Sequence, residues 1–148
     1  MENQTCKQSE EILAEIYRNA QLALQSISDI TPEVDDEKTR EELDRQHEEY
    51  ERISAKAIML AKDRGIELKD PGAFKKMMMW GSIKMSTLTD NSRAHIADMM
   101  LQGTIMGITA LRKSESESCL DANDETIALL HEMLEKEEEF EKVWKSFL

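Results

Sequence analysis

The chain has 148 residues, of which 34% are charged and only 5% are aromatic, with five glycines and two prolines. A chain of this length forms one domain around one sizeable core, so we expect residues 1–148 to be a single domain. The composition favours helices and leaves little for a sheet. The formal net charge of −12 argues against nucleic acids and anionic membrane surfaces as partners, because like charges repel each other.

Targeting and redox features of the sequence predict a cytoplasmic protein. The N-terminal residues lack the basic and apolar regions of a signal peptide, and no apolar run approaches the roughly 20 residues that a membrane span needs. The two cysteines, Cys6 and Cys119, form no CxxC pair and are too few for a disulfide framework. We therefore expect reduced thiols.

Apolar residues at helical spacing predict the first two helices. The first covers about residues 8–28 and stops before Pro32, which removes a backbone donor and restrains its predecessor. The second covers about residues 36–64, and its acidic residues come early, where they suit the helix dipole. Gly65 followed by Ile66 is typical of a left-handed C-terminal cap with an apolar contact.

The second half of the chain predicts a long, kinked third helix and a fourth helix. The Asp-Asn-Ser cluster at 90–92 indicates a kink with a fresh N-cap, which divides the third helix into halves at about 72–89 and 92–113. A Met-rich run at 75–80 in the first half is interpreted as core or subunit contact, in preference to a Cu(I) site or a membrane-binding helix end. Residues 114–118 form a polar linker, and the fourth helix covers about 122–147.

Four amphipathic helices with short connections predict an all-α, antiparallel up-down-up-down four-helix bundle. In that helix order, Cys6 lies at the start of the first helix and Cys119 lies after the third, at the opposite end of the bundle. We therefore expect that the two cysteines cannot form a disulfide within one chain.

Counting outwards from each turn at about 1.5 Å per residue places several polar side chains at one level of the bundle. They are Asn19, His47, His95 and Glu137, with Tyr50 and Asp98 one turn away. One interpretation is a structural layer of satisfied hydrogen bonds that fixes the helix register. Gln46 competes with His47 for the inward position on the second helix.

The alternative interpretation of the same layer is a metal site. Imidazole and carboxylate groups are the ligands that Fe, Mn and Zn take, and helical bundles build such sites from facing helices. The candidate ligands are His95, His47, Glu137 and Asp98. The polar layer thus leaves a structural role and a metal-binding role open.

Two glycines lie one turn apart in the third helix, at Gly103 and Gly107. Glycine inside a helix costs about 1 kcal/mol relative to alanine, so the missing side chains indicate that the space is used. The use is close approach of a neighbouring helix, contact with a second copy of the chain, or room for a small ligand.

Several segments resemble a family of small bacterial helical proteins that are grouped as ferritin-like and have no assigned activity. The segments are 17–21 (YRNAQ), 79–85 (MWGSIKM), 95–100 (HIADMM) and 102–108 (QGTIMGI). The resemblance covers nearly the whole chain and implies a four-helix bundle; the wider ferritin group implies a di-iron centre. That centre uses two Glu-x-x-His pairs, which this chain lacks, so the resemblance implies the fold more than the metal.

These patterns together predict a helical-bundle protein with an interaction or structural role and a buried polar layer. We expect it to form a homo-oligomer, most simply a dimer. The alternatives are a metal-binding protein and a protein that binds a small molecule beside Gly103 and Gly107. No phosphate loop, nucleophile elbow or Cys–His pair occurs at usable spacing, so the sequence does not favour an enzyme.

Overall fold

The computed structural model of the protein describes residues 6–69 and 90–148, and its regular elements in those ranges are all helical. The α-helices in this described part are α1 (Ser9–Ile30), α2 (Glu37–Asp63), α3 (Arg93–Ser116) and α4 (Glu125–Ser146), and a short 3-10 helix (Thr31–Glu33) follows α1. The predicted helix half at 72–89, its Met-rich run and the kink lie outside the described residues.

Side-chain caps begin both α2 and α3, and the cap of α3 lies where the sequence predicts it. The side chain of Asp36 accepts a hydrogen bond from the backbone N–H of Thr39, and that of Ser92 accepts one from His95. Each bond satisfies a donor that the first turn of a helix leaves free. The predicted N-cap in the 90–92 cluster is therefore confirmed.

The C-terminus of α2 has the cap that its glycine indicates. Gly65 has a φ of 66°, a left-handed conformation that glycine adopts without steric cost. Its N–H donates to the carbonyl of Lys62, and the N–H of Ile66 donates to the carbonyl of Ala61. This pair of bonds is a Schellman motif, which satisfies carbonyls at the helix end and stops α2.

The contacts at the helix ends give the order of the bundle. Arg93 at the start of α3 pairs with Asp36 at the start of α2, through Nε–Oδ2 at 2.9 Å and Nη2–Oδ1 at 3.0 Å. Arg64 after α2 pairs with Asp124 before α4, through Nη1–Oδ1 at 3.0 Å. The helices therefore run up, down, down, up, and the predicted up-down-up-down order is wrong. The prediction treats 72–113 as one kinked helix that begins near the end of α2 and runs antiparallel to it. In the structure, α3 begins beside the start of α2.

Cys6 and Cys119 form a disulfide, with a Cα–Cα distance of 5.3 Å. The prediction that they cannot pair is therefore wrong, and so is the prediction that their thiols stay reduced. Because α3 runs down the bundle, its C-terminus reaches the end at which α1 starts. Backbone hydrogen bonds flank the disulfide: the N–H of Lys7 donates to the carbonyl of Glu117 (2.6 Å), and the N–H of Cys119 donates to the carbonyl of Lys7 (2.9 Å).

The connection from α3 to α4 lies later in the chain than predicted. α3 continues to Ser116, because Ser114 lies on its inward face and is buried. α4 then starts at Glu125, after the N-cap Asp124. The predicted linker at 114–118 lies too early, because its polar residues show no apolar period although Ser114 is buried in the helix.

All four helices contribute to the core. Its largest fully buried side chains are Trp144, Phe140, Ile12, Leu13, Ile16, Ile27, Ile30, Leu43, Ile53, Ile96, Leu111 and Leu130. α1 packs against α2 and α3, while α4 packs against α3 and α2. None of the described helices combines the length and apolar character that a membrane crossing requires.

Candidate small-molecule site

A cavity of about 230 Å³ lies between α1 and α3, and it reaches inwards to Tyr50 of α2 and Glu137 of α4. The residues that α3 contributes are small, thioether-bearing or hydroxyl-bearing: Met99, Met100, Gly103, Thr104, Met106, Gly107 and Ala110. The prediction of space beside the two glycines of α3 agrees with this placement.

Glu137 is the acidic group at the inner end of the cavity, and its residue is only 2% exposed. Its Oε1 accepts a hydrogen bond of 2.6 Å from the hydroxyl of Tyr50. Its Oε2 accepts no hydrogen bond from the described residues and lies against Gly107, where a Cβ would be only 2.7 Å away. Gly107 therefore makes room for the carboxylate.

Burial controls the protonation of this pair. It raises the pKa of Glu137 to about 7, although the hydrogen bond from Tyr50 acts in the opposite direction. Burial also raises the pKa of the Tyr50 hydroxyl well above its ordinary value, and the neighbouring carboxylate adds to that effect. Tyr50 therefore stays a neutral donor, while Glu137 exchanges between its acid and its carboxylate near neutral pH.

The α1 side of the cavity carries an ion pair whose two opposite charges cancel. Arg18 donates to the carboxylate of Glu15, one turn earlier on α1. Asn19 donates to the backbone carbonyl of Glu15 at 2.9 Å. Since Glu15 and Arg18 neutralise each other, Glu137 is the unbalanced acid among the described residues that line the cavity.

The predicted polar layer is brought together only in part. Asn19, Tyr50 and Glu137 line one cavity, but His95 lies in the first turn of α3. Gly107, which contacts Glu137, is twelve residues further along the helix, or about 18 Å. The prediction that His95 and Glu137 share a level is therefore wrong.

The early placement of the α3–α4 turn caused this error. In an antiparallel pair, residues at the same level are equally far in sequence from the centre of the turn. If that centre lies a few residues later than predicted, the partner of a given residue lies twice as many residues later. The start of α3 instead faces the end of α4, since the guanidinium of Arg93 lies 5.8 Å from the ring centroid of Phe147. Asp98 is exposed and accepts a hydrogen bond of 3.1 Å from Gln102.

Gln46, and not His47, takes the inward position on α2. Gln46 is buried, and its Oε1 accepts a hydrogen bond of 3.2 Å from the indole N–H of Trp144. His47 is half-buried at the surface, where Nδ1 lies 3.4 Å from Oε1 of Glu51 and Nε2 lies 3.5 Å from the hydroxyl of Ser28. His47 is therefore not part of the inner layer.

These positions do not form the predicted metal site. Within residues 6–69 and 90–148, no group of three or more His, Cys, Asp or Glu side chains is arranged to hold a metal ion. Nε2 of His95 is buried and has no hydrogen-bond partner among the described residues, but it is remote from Glu137. The di-iron centre implied by the ferritin resemblance does not fit the described residues.

The sequence predicts only part of the α1 wall of the cavity: Asn19 and Ala23 lie on the predicted inner face and line the cavity. Glu15, Arg18, Leu22 and Ser26 also line it, and the apolar pattern does not place them on the buried face of this helix. Their spacing of three and four residues is itself helical and marks a second face beside the apolar one. The position of α3 is also needed to predict that this face of α1 lines a cavity, and helical spacing alone does not give that position.

The two glycines of α3 are expected to respond differently to alanine. Gly103→Ala should raise the free energy of unfolding by up to about 1 kcal/mol through helix propensity, since its Cβ would meet no atom within 4 Å. Gly107→Ala should forfeit that gain, because the Cβ displaces Oε2 of Glu137 and disturbs its bond with Tyr50. Urea unfolding of both variants measures the difference; equal gains would show that Gly107 does not shape the cavity.

Comparison with known proteins assigns no family to this chain. No protein-family model matches it, and neither the curated proteins nor the solved structures include a match. The cavity and the groups around it are therefore the basis for assigning a function.

Proposed function

We propose that this protein binds a small, mainly apolar molecule in the cavity between α1 and α3. The observation that carries the proposal is Glu137, a buried carboxylate whose Oε2 has no donor among the described residues and lines a cavity of about 230 Å³. Small-molecule sites in proteins are concave and largely apolar, with a few placed polar groups that orient the ligand. Glu137 and Tyr50 are the groups of that kind in this cavity.

The cavity volume limits the size of the ligand. A cavity of about 150 Å³ lined by aliphatic and aromatic side chains binds benzene. A volume of about 230 Å³ is sufficient for an aromatic ring with two or three further heavy atoms. The methionines on α3 suit such a ligand, because their flexible thioethers adapt to irregular shapes.

A purely structural polar layer is the interpretation that competes with ligand binding. A layer that only fixes the helix register satisfies its own hydrogen-bonding groups. Gln46 and Trp144 form a pair of that kind, whereas one oxygen of Glu137 has no donor within residues 6–69 and 90–148 and has a cavity beside it. This contrast favours a ligand at Glu137.

Self-association stays a prediction, and the exposed Ile105 and Met106 offer apolar surface for it.

The helix order supports a ferritin-like bundle as the fold. α2 and α3 start at the same end of the bundle, so these two consecutive helices run parallel, as two consecutive helices do in ferritin-like bundles. The disulfide between Cys6 and Cys119 argues against the predicted cytoplasmic location, because disulfides persist mainly in oxidising compartments.

Calorimetric titration with 2-phenylethanol tests the proposed function. The wild type should bind this nine-heavy-atom probe with a Kd of about 1 mM or below, which is −4.1 kcal/mol and within the range for small ligands. Ala23→Phe, which fills the cavity from α1, should weaken binding at least about tenfold, or about 1.4 kcal/mol. Ala23 lines the cavity.

Ala14→Phe is the matched control, since Ala14 is an exposed residue of the same helix and does not line the cavity. It should bind the probe as the wild type does, with circular dichroism verifying the fold of both variants. Equal affinity in Ala23→Phe and Ala14→Phe would refute the proposal.

A further inference from the structure

We infer that the ligand is a protonated amine on an apolar body, whose ammonium group donates to Oε2 of Glu137. The inference rests on the proposed function and names the chemical class of its ligand. It starts from the unequal surroundings of the two carboxylate oxygens, one of which is bonded to Tyr50 while the other lines the cavity.

An ammonium group matches what Oε2 lacks. It carries three donors and no acceptor, so it can bond the carboxylate without leaving a buried lone pair unsatisfied. A hydrogen bond between two charged groups is about twice as strong as a neutral one. A hydroxyl group supplies one donor but no charge, and a carboxylate would place a second anion beside the first.

The charges around Glu137 also favour a cation. From α2 it faces Tyr50, a neutral donor; from α1 the cavity carries the self-balanced pair of Glu15 and Arg18. α3 contributes only residues without a titratable side chain to the lining. Among the described lining residues, no cation is therefore left to balance the ionised form of Glu137.

The whole-chain charge acts in the same direction. At a formal net charge of −12, the protein attracts cations and repels anions over distances comparable with the Debye length. The cavity then sorts cations by their apolar part, since a small hydrated ion would gain nothing from Leu22, Met99 or Met100. An ammonium group on a ring or short alkyl chain satisfies both conditions.

Three probes of nearly equal size test this inference by calorimetric titration at pH 7. They are 2-phenylethylamine, 2-phenylethanol and 3-phenylpropanoate, which differ in the charge of one end. The wild type should bind the amine at least tenfold more tightly than the alcohol, and the propanoate most weakly. Glu137→Gln should lower the affinity for the amine at least tenfold and leave that for the alcohol within about threefold.

Glu135→Gln is the matched control, because Glu135 is an exposed residue of the same helix and has the same change in charge. It should preserve the preference for the amine. A similar loss of preference in Glu135→Gln and Glu137→Gln would mean that the net charge of the protein, and not the carboxylate in the cavity, selects the amine, which would overturn the inference.

Proton release gives a second measurement that a merely structural Glu137 would not change. Burial raises the pKa of Glu137 to about 7, so at pH 6 its carboxyl group is mostly protonated and must ionise to pair with the ammonium group. Binding of 2-phenylethylamine should then release close to one proton, detected from the dependence of the heat on the buffer's ionisation enthalpy. At pH 8 the release should be close to zero.

The outcomes separate the two proposals. If 2-phenylethanol binds as tightly as 2-phenylethylamine and binding of the amine releases no proton at pH 6, the cavity is a ligand site and the amine class is wrong. If none of the three probes binds, the proposed function fails as well. An amine preference that Glu137→Gln abolishes, together with the proton release, supports both.

Discussion

Removal of the Cys6–Cys119 disulfide is expected to lower the free energy of unfolding by about 2–5 kcal/mol. The bond joins residues 113 positions apart, and a cross-link that closes a long loop restricts the unfolded chain most strongly. Proteins of this size have unfolding free energies of about 5–15 kcal/mol, so the loss is a large fraction of the total. The double variant Cys6→Ser with Cys119→Ser, unfolded in urea, measures it.

The position of the disulfide adds a structural reason for a loss of this size. It connects the start of α1 to the end of α3, the two helices between which the cavity lies. Beside the bond, this end of the pair has the backbone hydrogen bonds of Lys7 with Glu117 and Cys119 and the ion pair of Lys7 with Glu117. We therefore expect the segment before α1 to detach first in the double variant.

A reducing agent provides the control for this prediction. Dithiothreitol should lower the urea midpoint of the wild type towards that of the double variant and leave the midpoint of the double variant unchanged. If the oxidised wild type and the double variant unfold at the same urea concentration, the disulfide contributes no stability and the prediction is wrong.

The helices themselves were predictable because their ends depend on local chemistry. Asp36 and Ser92 cap the helices that follow them, and Gly65 ends α2 in a left-handed conformation. Each signal involves residues within a few positions of one another, so the sequence contains it fully. The predicted bounds of α1 and α2 accordingly lie close to Ser9–Ile30 and Glu37–Asp63.

The helix order and the level of the polar groups were not predictable in the same way. Whether α3 runs parallel or antiparallel to α2 depends on the ion pair of Arg93 with Asp36 and on the other long-range contacts. The choice between Gln46 and His47 depends on Trp144, which needs an acceptor for its indole N–H from across the core. Helical periodicity predicts the face of a residue but not its partner on another helix.

The glycines predict space on α3 with a ligand cavity as one of its uses, and the pattern of α4 predicts Glu137 on the inner face but not its partner. Gly103 and Gly107 indicated space, and the cavity lies beside them. Helical spacing predicts the inner face for Glu137 but pairs it with His95, because the predicted α3–α4 turn lies too early. Its partner is Tyr50, which the same spacing predicts one turn away.

Glu137 should also make the stability of the protein depend on pH in an unusual direction. Its pKa is about 7 in the folded protein and about 4.5 for an unperturbed side chain. Below pH 4.5 the group is protonated in both states; as the pH rises towards 7, the unfolded chain ionises while the folded chain does not. The stability that Glu137 contributes is therefore fully present at low pH and is lost as the pH rises through 7.

The variant Glu137→Gln isolates this effect. Glutamine has no titratable group, and its carbonyl can still accept the hydrogen bond from Tyr50. Between pH 5 and pH 8 the unfolding free energy of the variant should therefore rise by about 2–3 kcal/mol relative to the wild type. Carboxylates with lowered pKa values, such as Asp36 and Asp124, act in the opposite direction but are present in both proteins and cancel in the difference.

Urea unfolding at half-unit intervals of pH measures this difference, and Glu135→Gln is the control for the loss of a surface charge on the same helix. Glu135 is exposed, so that variant should follow the wild type at every pH. A difference between Glu137→Gln and the wild type that stays flat from pH 5 to pH 8 would contradict the prediction, because it would mean that Glu137 is already ionised in the folded protein. Proton release on binding an amine would then be absent too, since both effects depend on the same buried acid.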